Sequence, residues 1–282
     1  MGPHMPDLHG SGLMLNFTHW PKTRKIQQGT FRVMAPMPTK LQIEPLVDAL
    51  FEIQFVSSAP AAQVLPGFLF SKLEGEIEVK SLSPAFPPEV IAVNPAFKYQ
   101  PTTSLIWNRF HLRFSEQSIQ VVSPMPYPGW SDFLEVIDKV FDLLVESGIV
   151  KKFTRYSLKC VDFIQAESHD ERLKTIAMEL IVGREHLHPS HFQVHVEIPS
   201  NIASNLITVA CPARAQNVET SVESSGILIT TDSIVNGDKL PEQQTIQHNF
   251  RELVDTLHKE NKFMFFNSLS EKGIQSLGPS YD

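Results

Sequence analysis

Residues 46–56 read LVDALFEIQFV, and within them Phe51, Ile53 and Phe55 alternate with Glu52 and Gln54. Only an extended strand with one dry and one polar face satisfies that period of two. The feature obliges the chain to build a sheet and to cover the face that carries Phe51. A candidate cover follows the turn PMPYPG, where Phe133, Val136, Ile137, Val140, Phe141 and Leu144 recur at helical spacing. Ser131 is a good N-cap for that helix, Asp132 suits its positive end, and Gly148 is a good stop.

The same order of elements then comes twice. In the first half, Pro60 and Pro66 punctuate the segment after the strand, and Leu65, Phe68, Leu69 and Leu73 trace a short helix with a proline suited to its first turn. The proline-rich stretch beyond predicts an edge strand at 90–93, and a meander of short strands follows at 104–107, 109–114 and 118–122. The second half opens with the strand-like FTRYSLKCVDFI at 153–164, followed by a polar helical piece at 168–175. Strands are expected at 177–182, 192–198, 206–211 and 226–232. A long helix begins near Glu242, with Ile246, Phe250, Leu253, Leu257 and Met264 along one side. The fold class is therefore α+β, as two similar helix-on-antiparallel-sheet units in tandem, at 34–150 and 151–282. Residues 1–33 have no periodic apolar face and read as a flexible leader.

Composition narrows the function classes. Of 282 residues, 24 are Lys or Arg against 31 Asp or Glu, and a net charge of -7 argues against a protein that works by holding nucleic-acid phosphates. Two cysteines cannot build a disulfide framework, which fits a cytoplasmic location. No apolar run reaches the ~18 residues that a spanning helix needs, so no membrane is expected. The chain contains no G-x-x-x-x-G-K-S/T, no G-x-G-x-x-G after the first strand, no G-x-S-x-G, no H-E-x-x-H and no C-x-x-C. These absences disfavour the familiar cofactor-dependent enzymes, and the sequence assigns no cofactor and no catalytic residue.

Several clusters remain as candidates. Glu185, His186, His188, His191, His195 and Glu197 fall close together, and imidazoles at such spacing can hold zinc. His195 and Glu197, however, alternate with Val194, Val196 and Ile198 and should face solvent, so the cluster reads as a polar hairpin tip. His186, His188 and His191 are the residues that a metal would take. Glu52, Asp162 and Asp232 each occur within a strand, where carboxylates usually occupy the wet face. Arg155 suggests a ligand anchor or an ion pair with Glu52, since the two open equivalent strands of the two halves. Trp107, Arg109 and His111 alternate and could line a groove. His258 and Lys262 share a helical face and read as exposed or capping groups. Phe263, Met264, Phe265 and Phe266 are consecutive and cannot share one helical stripe. Phe263, Phe265, Phe266 and Leu269 are therefore the candidate contacts of a protein interface.

Three blocks carry a resemblance. They are KLQIEPLVDALFEIQF with LPGFLFSKL, GWSDFLEVIDKVF through RYSLKCVDFI, and LHKENKFMFFNSLSEKGIQSLGPSY, with Pro45, Ala49, Glu52 and Phe55 in the first, Trp130, Arg155 and Asp162 in the second, and His258, Lys262, Phe265 and Pro279 in the third. In these the chain resembles a sporadically distributed bacterial family of uncharacterised function, over about residues 34–282. It departs from that pattern at Cys160, where tyrosine is more usual. The resemblance implies a bacterial or phage-borne origin and supplies no reaction. With it, the leading expectation is a non-enzymatic protein-binding component of a mobile defence or toxin-neutralising system, partnered by another protein or by its own copy. The alternative is a ligand-binding or hydrolase-like protein using a cleft between the two halves.

Overall fold

The computed structural model describes residues 37–82, 93–216 and 223–281, and Met37–Asp282 form one compact unit. The expected leader at 1–33, and all but the last residue of the strand expected at 90–93, lie outside the described residues. The fold is α+β. Its elements are β1 (Lys40–Leu41), β2 (Leu46–Ser57), α1 (Ala61–Lys72), β3 (Ile77–Ser81), β4 (Thr103–Trp107), β5 (Phe110–Phe114), β6 (Ser118–Val122) and α2 (Trp130–Glu146), then β7 (Val150–Gln165), α3 (His169–Thr175), β8 (Leu180–Val182), β9 (Glu185–Leu187), β10 (Phe192–Pro199), β11 (Ser204–Gln216), β12 (Glu223–Asn236), α4 (Gln243–Asn267), α5 (Glu271–Ser276) and β13 (Pro279–Ser280).

Nine strands make one antiparallel sheet in the order β10-β11-β12-β7-β2-β6-β5-β4-β3. The two strongest strand signals in the sequence, β2 and β7, are neighbours at its middle, with Phe51 opposite Leu158 and Glu52 opposite Ser157. From β2 the chain leaves through α1 to the outer edge at β3, then steps inward through β4 and β5 until β6 pairs with β2. From β7 it leaves through α3 and the β8–β9 hairpin to the other edge at β10, then steps inward until β12 pairs with β7. The halves thus contribute to one continuous sheet.

The alternation in β2 places Phe51, Ile53 and Phe55 on the face covered by the helices, where all three are buried. Phe51 meets Phe250 of α4 edge-on at 5.8 Å, and Phe250 stacks on Phe141 of α2. Burying each such ring contributes about 1.5–3 kcal/mol, so these contacts tie both long helices to the central strand. A second cluster gathers Ile164, Ile207, Val209, Ile227 and Ile229 under the end of α4.

Local chemistry sets the element ends, and in places differs from expectation. Helix α1 starts after Pro60, which leaves Pro66 inside it. Helix α2 starts at Trp130, one residue before the expected N-cap at Ser131, because Gly129 makes the turn at φ 103° that a side chain rarely adopts. Gly148, at φ 67°, ends it. The outer strand of the first half is β3, at Ile77–Ser81, ahead of the edge strand expected at 90–93. Trp107, Arg109 and His111 do not share a strand, because Asn108 and Arg109 take φ values of 46° and 74° and form the β4–β5 turn. Trp107 lies opposite Phe110, while His111 lies opposite Ile106 on the other face. Trp107 instead fixes the α1–β3 connection, donating from Nε1 to the Glu74 carbonyl at 2.8 Å.

Helix α3 is short and depends on its cap. Ser168 Oγ accepts from the Glu171 N–H at 3.2 Å, and the Glu171 carboxylate accepts from the Ser168 N–H at 3.2 Å. Ser168→Ala is expected to cost about 1 kcal/mol. In urea unfolding this should appear as a lower midpoint with an unchanged slope.

Candidate functional site

Strands β2 and β7 carry the floor of a cavity of about 410 Å³, whose walls come from both halves. Residues 38–46 and the 127–130 approach to α2 close one side, and α4 closes the other with His258, Asn261, Lys262, Phe265 and Phe266. Parity in β7 decides what the floor offers. Tyr156, Leu158, Cys160, Asp162 and Ile164 alternate onto the helix-covered face, so Asp162 takes a position that its neighbours fill with apolar groups. It pairs with Leu46 across a register shift in β2 and with Ile229 on the other side. This corrects the expectation of a wet-face carboxylate: Asp162 is 4% exposed. Its carboxyl has no hydrogen-bond or ion-pair partner among the described residues.

Burial, with the nearby Glu44 carboxylate, pushes Asp162 up from 3.8 to about 8. Cys160 is held well above its ordinary value by burial and by Asp162, Asp48, Asp232 and Glu44. The Tyr127 phenol also moves up, through burial, Cys160 and Glu44. All three groups keep their protons at neutral pH, and among the described residues no cation acts on any of them.

The α4 wall follows from helical spacing, since His258, Lys262 and Phe266 recur every fourth residue. His258 stacks on Trp130 at 3.8 Å with an interplanar angle of 9°. Trp130 is set by its Nε1, which donates to Asp255 at 2.9 Å, and Asp255 pairs with Lys259 at 2.7 Å. Burial and then Lys262 push His258 down to about 4, against the opposing pull of Asp255. Lys262 is lowered by burial, Glu44 acting the other way, and its ammonium lies 5.9 Å from the centre of the Phe266 ring. Both side chains thus line the cavity, which corrects the expectation of exposed or capping groups. Asn261 locks the helix down, donating from Nδ2 to the carbonyls of Leu158 and Thr231 at 2.9 and 3.0 Å and to Ser233 Oγ at 3.1 Å.

The other candidates fall elsewhere. Glu52 and Arg155 meet on the opposite face of the sheet. Arg155 is level with Gln54 and reaches diagonally, its Nη1 donating to Glu52 Oε1 at 2.9 Å. Gln54 and Gln120 complete the shell of that carboxylate at 2.6 and 2.7 Å, and Asp232 stands 3.7 Å from Arg155 Nη2. Arg109 is exposed in its turn. His186, His188 and His191 are exposed on and just after the β8–β9 hairpin, and among the described residues no three His, Cys, Asp or Glu converge on a point that could hold a metal ion. The interface candidates need correction. Phe265, Phe266 and Leu269 are 6%, 8% and 4% exposed, and Phe263 is half-buried. The chain covers α4 on its second side by itself, through Ile176, which bridges to Leu269, and through Ile274 and Leu277 around α5. Among the described residues no helix is long and apolar enough to cross a membrane.

The chain matches no protein-family model and no curated protein.

Proposed function

We propose that the chain binds a small molecule in the cleft between its halves. One observation carries the reading: Asp162, a buried acid with no partner among the described residues, sits in a cavity of about 410 Å³ walled largely by aromatic and aliphatic groups. The volume falls within the usual range for ligand pockets, which join apolar walls to a few placed polar groups. An isolated carboxyl in such surroundings costs folding energy, and perturbed acids of this kind concentrate at functional sites. The Cys160 thiol is held protonated, which favours binding over nucleophilic attack. The sequence resemblance supports the same place, because Pro45, Ala49, Trp130, Asp162, His258, Lys262 and Phe265, drawn from all three blocks, line this one cleft. The apolar run that suggested a protein interface is covered by the chain at Met264, Phe265 and Phe266 and half-buried at Phe263, so the cleft is the better supported of the two readings. The two free cysteines fit a reducing compartment.

The test is to offer the protein the low-mass fraction of a cell extract, follow the emission of Trp130, and identify by mass spectrometry what the protein retains. A retained molecule is expected, and Ala49→Leu, which fills the floor of the cavity, should abolish its retention while leaving the circular dichroism unchanged. Undiminished retention by Ala49→Leu would place the ligand elsewhere and defeat the reading.

A further inference from the structure

Resting on that cleft reading, we propose that the ligand is an organic cation, an amine or amidine on an apolar body, whose nitrogen pairs with the Asp162 carboxylate among the surrounding aromatic rings. The first support is geometric. Asp162 is the most deeply buried polar group on the cavity floor apart from Asn261, whose donors are already engaged, and nothing in the described chain answers its carboxyl. Tyr127, Trp130, Phe133 and Phe265 line the same space, one face of Trp130 being taken by His258 and one of Phe133 by Phe110, and aromatic surroundings attract desolvated cations.

The second support is electrostatic. Cys160, Tyr127 and Asp162 sample the floor at three points; burial is the larger cause at each, and the charge that acts on all three is the Glu44 carboxylate. A neutral or anionic ligand leaves that potential unanswered; a cation relieves it. The cations nearby do not fill the role. Lys40 is exposed, and Lys262 lies over Phe266 and forms no ion pair with Asp162. The groups facing the site are Lys40 on β1, Glu44 from the β1–β2 connection, Tyr127 from the approach to α2, Cys160 on β7, and His258 and Lys262 on α4. The balanced step is a protonated nitrogen and an Asp162 carboxylic acid giving an ammonium–carboxylate pair, with the acid's proton released to solvent.

The experiment is calorimetric titration near pH 7, in two buffers of different ionisation heat, with three probes of similar shape: benzylammonium, benzyl alcohol and benzoate. Benzylammonium is expected to bind about tenfold or more tightly than the other two and to release about one proton per molecule bound. Asp162→Asn should remove both the preference and the proton release. Glu44→Gln, a change at an exposed position, should weaken the cation severalfold without touching the fold. Equal binding of benzyl alcohol, or preference for benzoate, overturns the cation assignment and leaves the cleft reading standing. If no probe binds, the molecule retained from extract decides: retention lost in Asp162→Asn and an amine in the mass spectrum sustain the proposal, and any other identity ends it. Failure of both the probes and the extract defeats the cleft reading itself.

Discussion

Taking the protein from pH 6.5 to 8 is expected to weaken folding by on the order of 2 kcal/mol, and Asp162→Asn to remove most of that loss. The folded Asp162 holds its proton to about 8, whereas the unfolded chain releases it near 3.8. Between those values the native state binds more protons than the unfolded state, so this group's contribution to stability is full below 3.8 and declines as pH rises to about 8. His258 acts in the opposite sense. Its folded value of about 4 lies below the ordinary 6.5, so its contribution is full above 6.5 and is lost as pH falls toward 4. The two trends oppose each other from 4 to 6.5, and above 6.5 Asp162 acts without that counterweight. Asp232, also raised by burial against the pull of Arg155 and Lys159, acts in the same sense as Asp162 at pH values above its ordinary one. Urea midpoints at pH 5, 6.5 and 8 should therefore show little change and then a fall. Asp162→Asn should be more stable than the parent at pH 8, and His258→Gln should turn the flat region into a continuous decline with pH. An Asp162→Asn curve parallel to the parent's would show that the acid is ionised and solvated in the folded protein.

A second large effect is expected on the other face of the sheet, where Arg155→Leu should cost about 3–5 kcal/mol. The substitution leaves Glu52, whose side chain is 9% exposed, with two amides and no paired cation among the described residues. Breaking a buried pair from one side is expensive because the abandoned charge stays desolvated; removing both charges avoids that penalty. Arg155→Leu combined with Glu52→Gln should recover most of the stability lost by the single substitution. A single-substitution cost below about 1 kcal/mol would mean that water reaches the carboxylate as it does at an exposed pair.

Alternation made the central strands legible, because a period of two with large apolar groups has one structural solution. The same rule contained the site. In FTRYSLKCVDFI, Asp162 has the parity of Tyr156, Leu158, Cys160 and Ile164, so it belongs on the buried face; the usual habit of strand carboxylates obscured this. Position within an element was harder to read than element type. Pro66 suits a first turn, but α1 tolerates it one turn further in. Trp107, Arg109 and His111 look like alternating strand residues until two positive φ values at Asn108 and Arg109 turn the chain between them. The run Phe263–Phe266 correctly implied that α4 must be covered on more than one side. The sequence could not tell that the cover is the chain's own return through α5, a contact between segments whose pairing no local pattern specifies.

The pairing of β2 with β7 also governs how the molecule can come into being. Each half brings one of its longest strands to that ladder, so a chain divided near residue 150 would give two partial sheets, each with a bare edge ready to pair with any other strand it meets. The helices cannot compensate, because Phe250 of α4 seats against Phe51 of β2, a contact that closes roughly two hundred residues of chain and forms only after α4 has been synthesised. Such non-local closure slows folding. A nascent chain that has emerged only as far as α2 carries β2 with one side unpaired, and its half of the sheet waits for the other before it has a protected form.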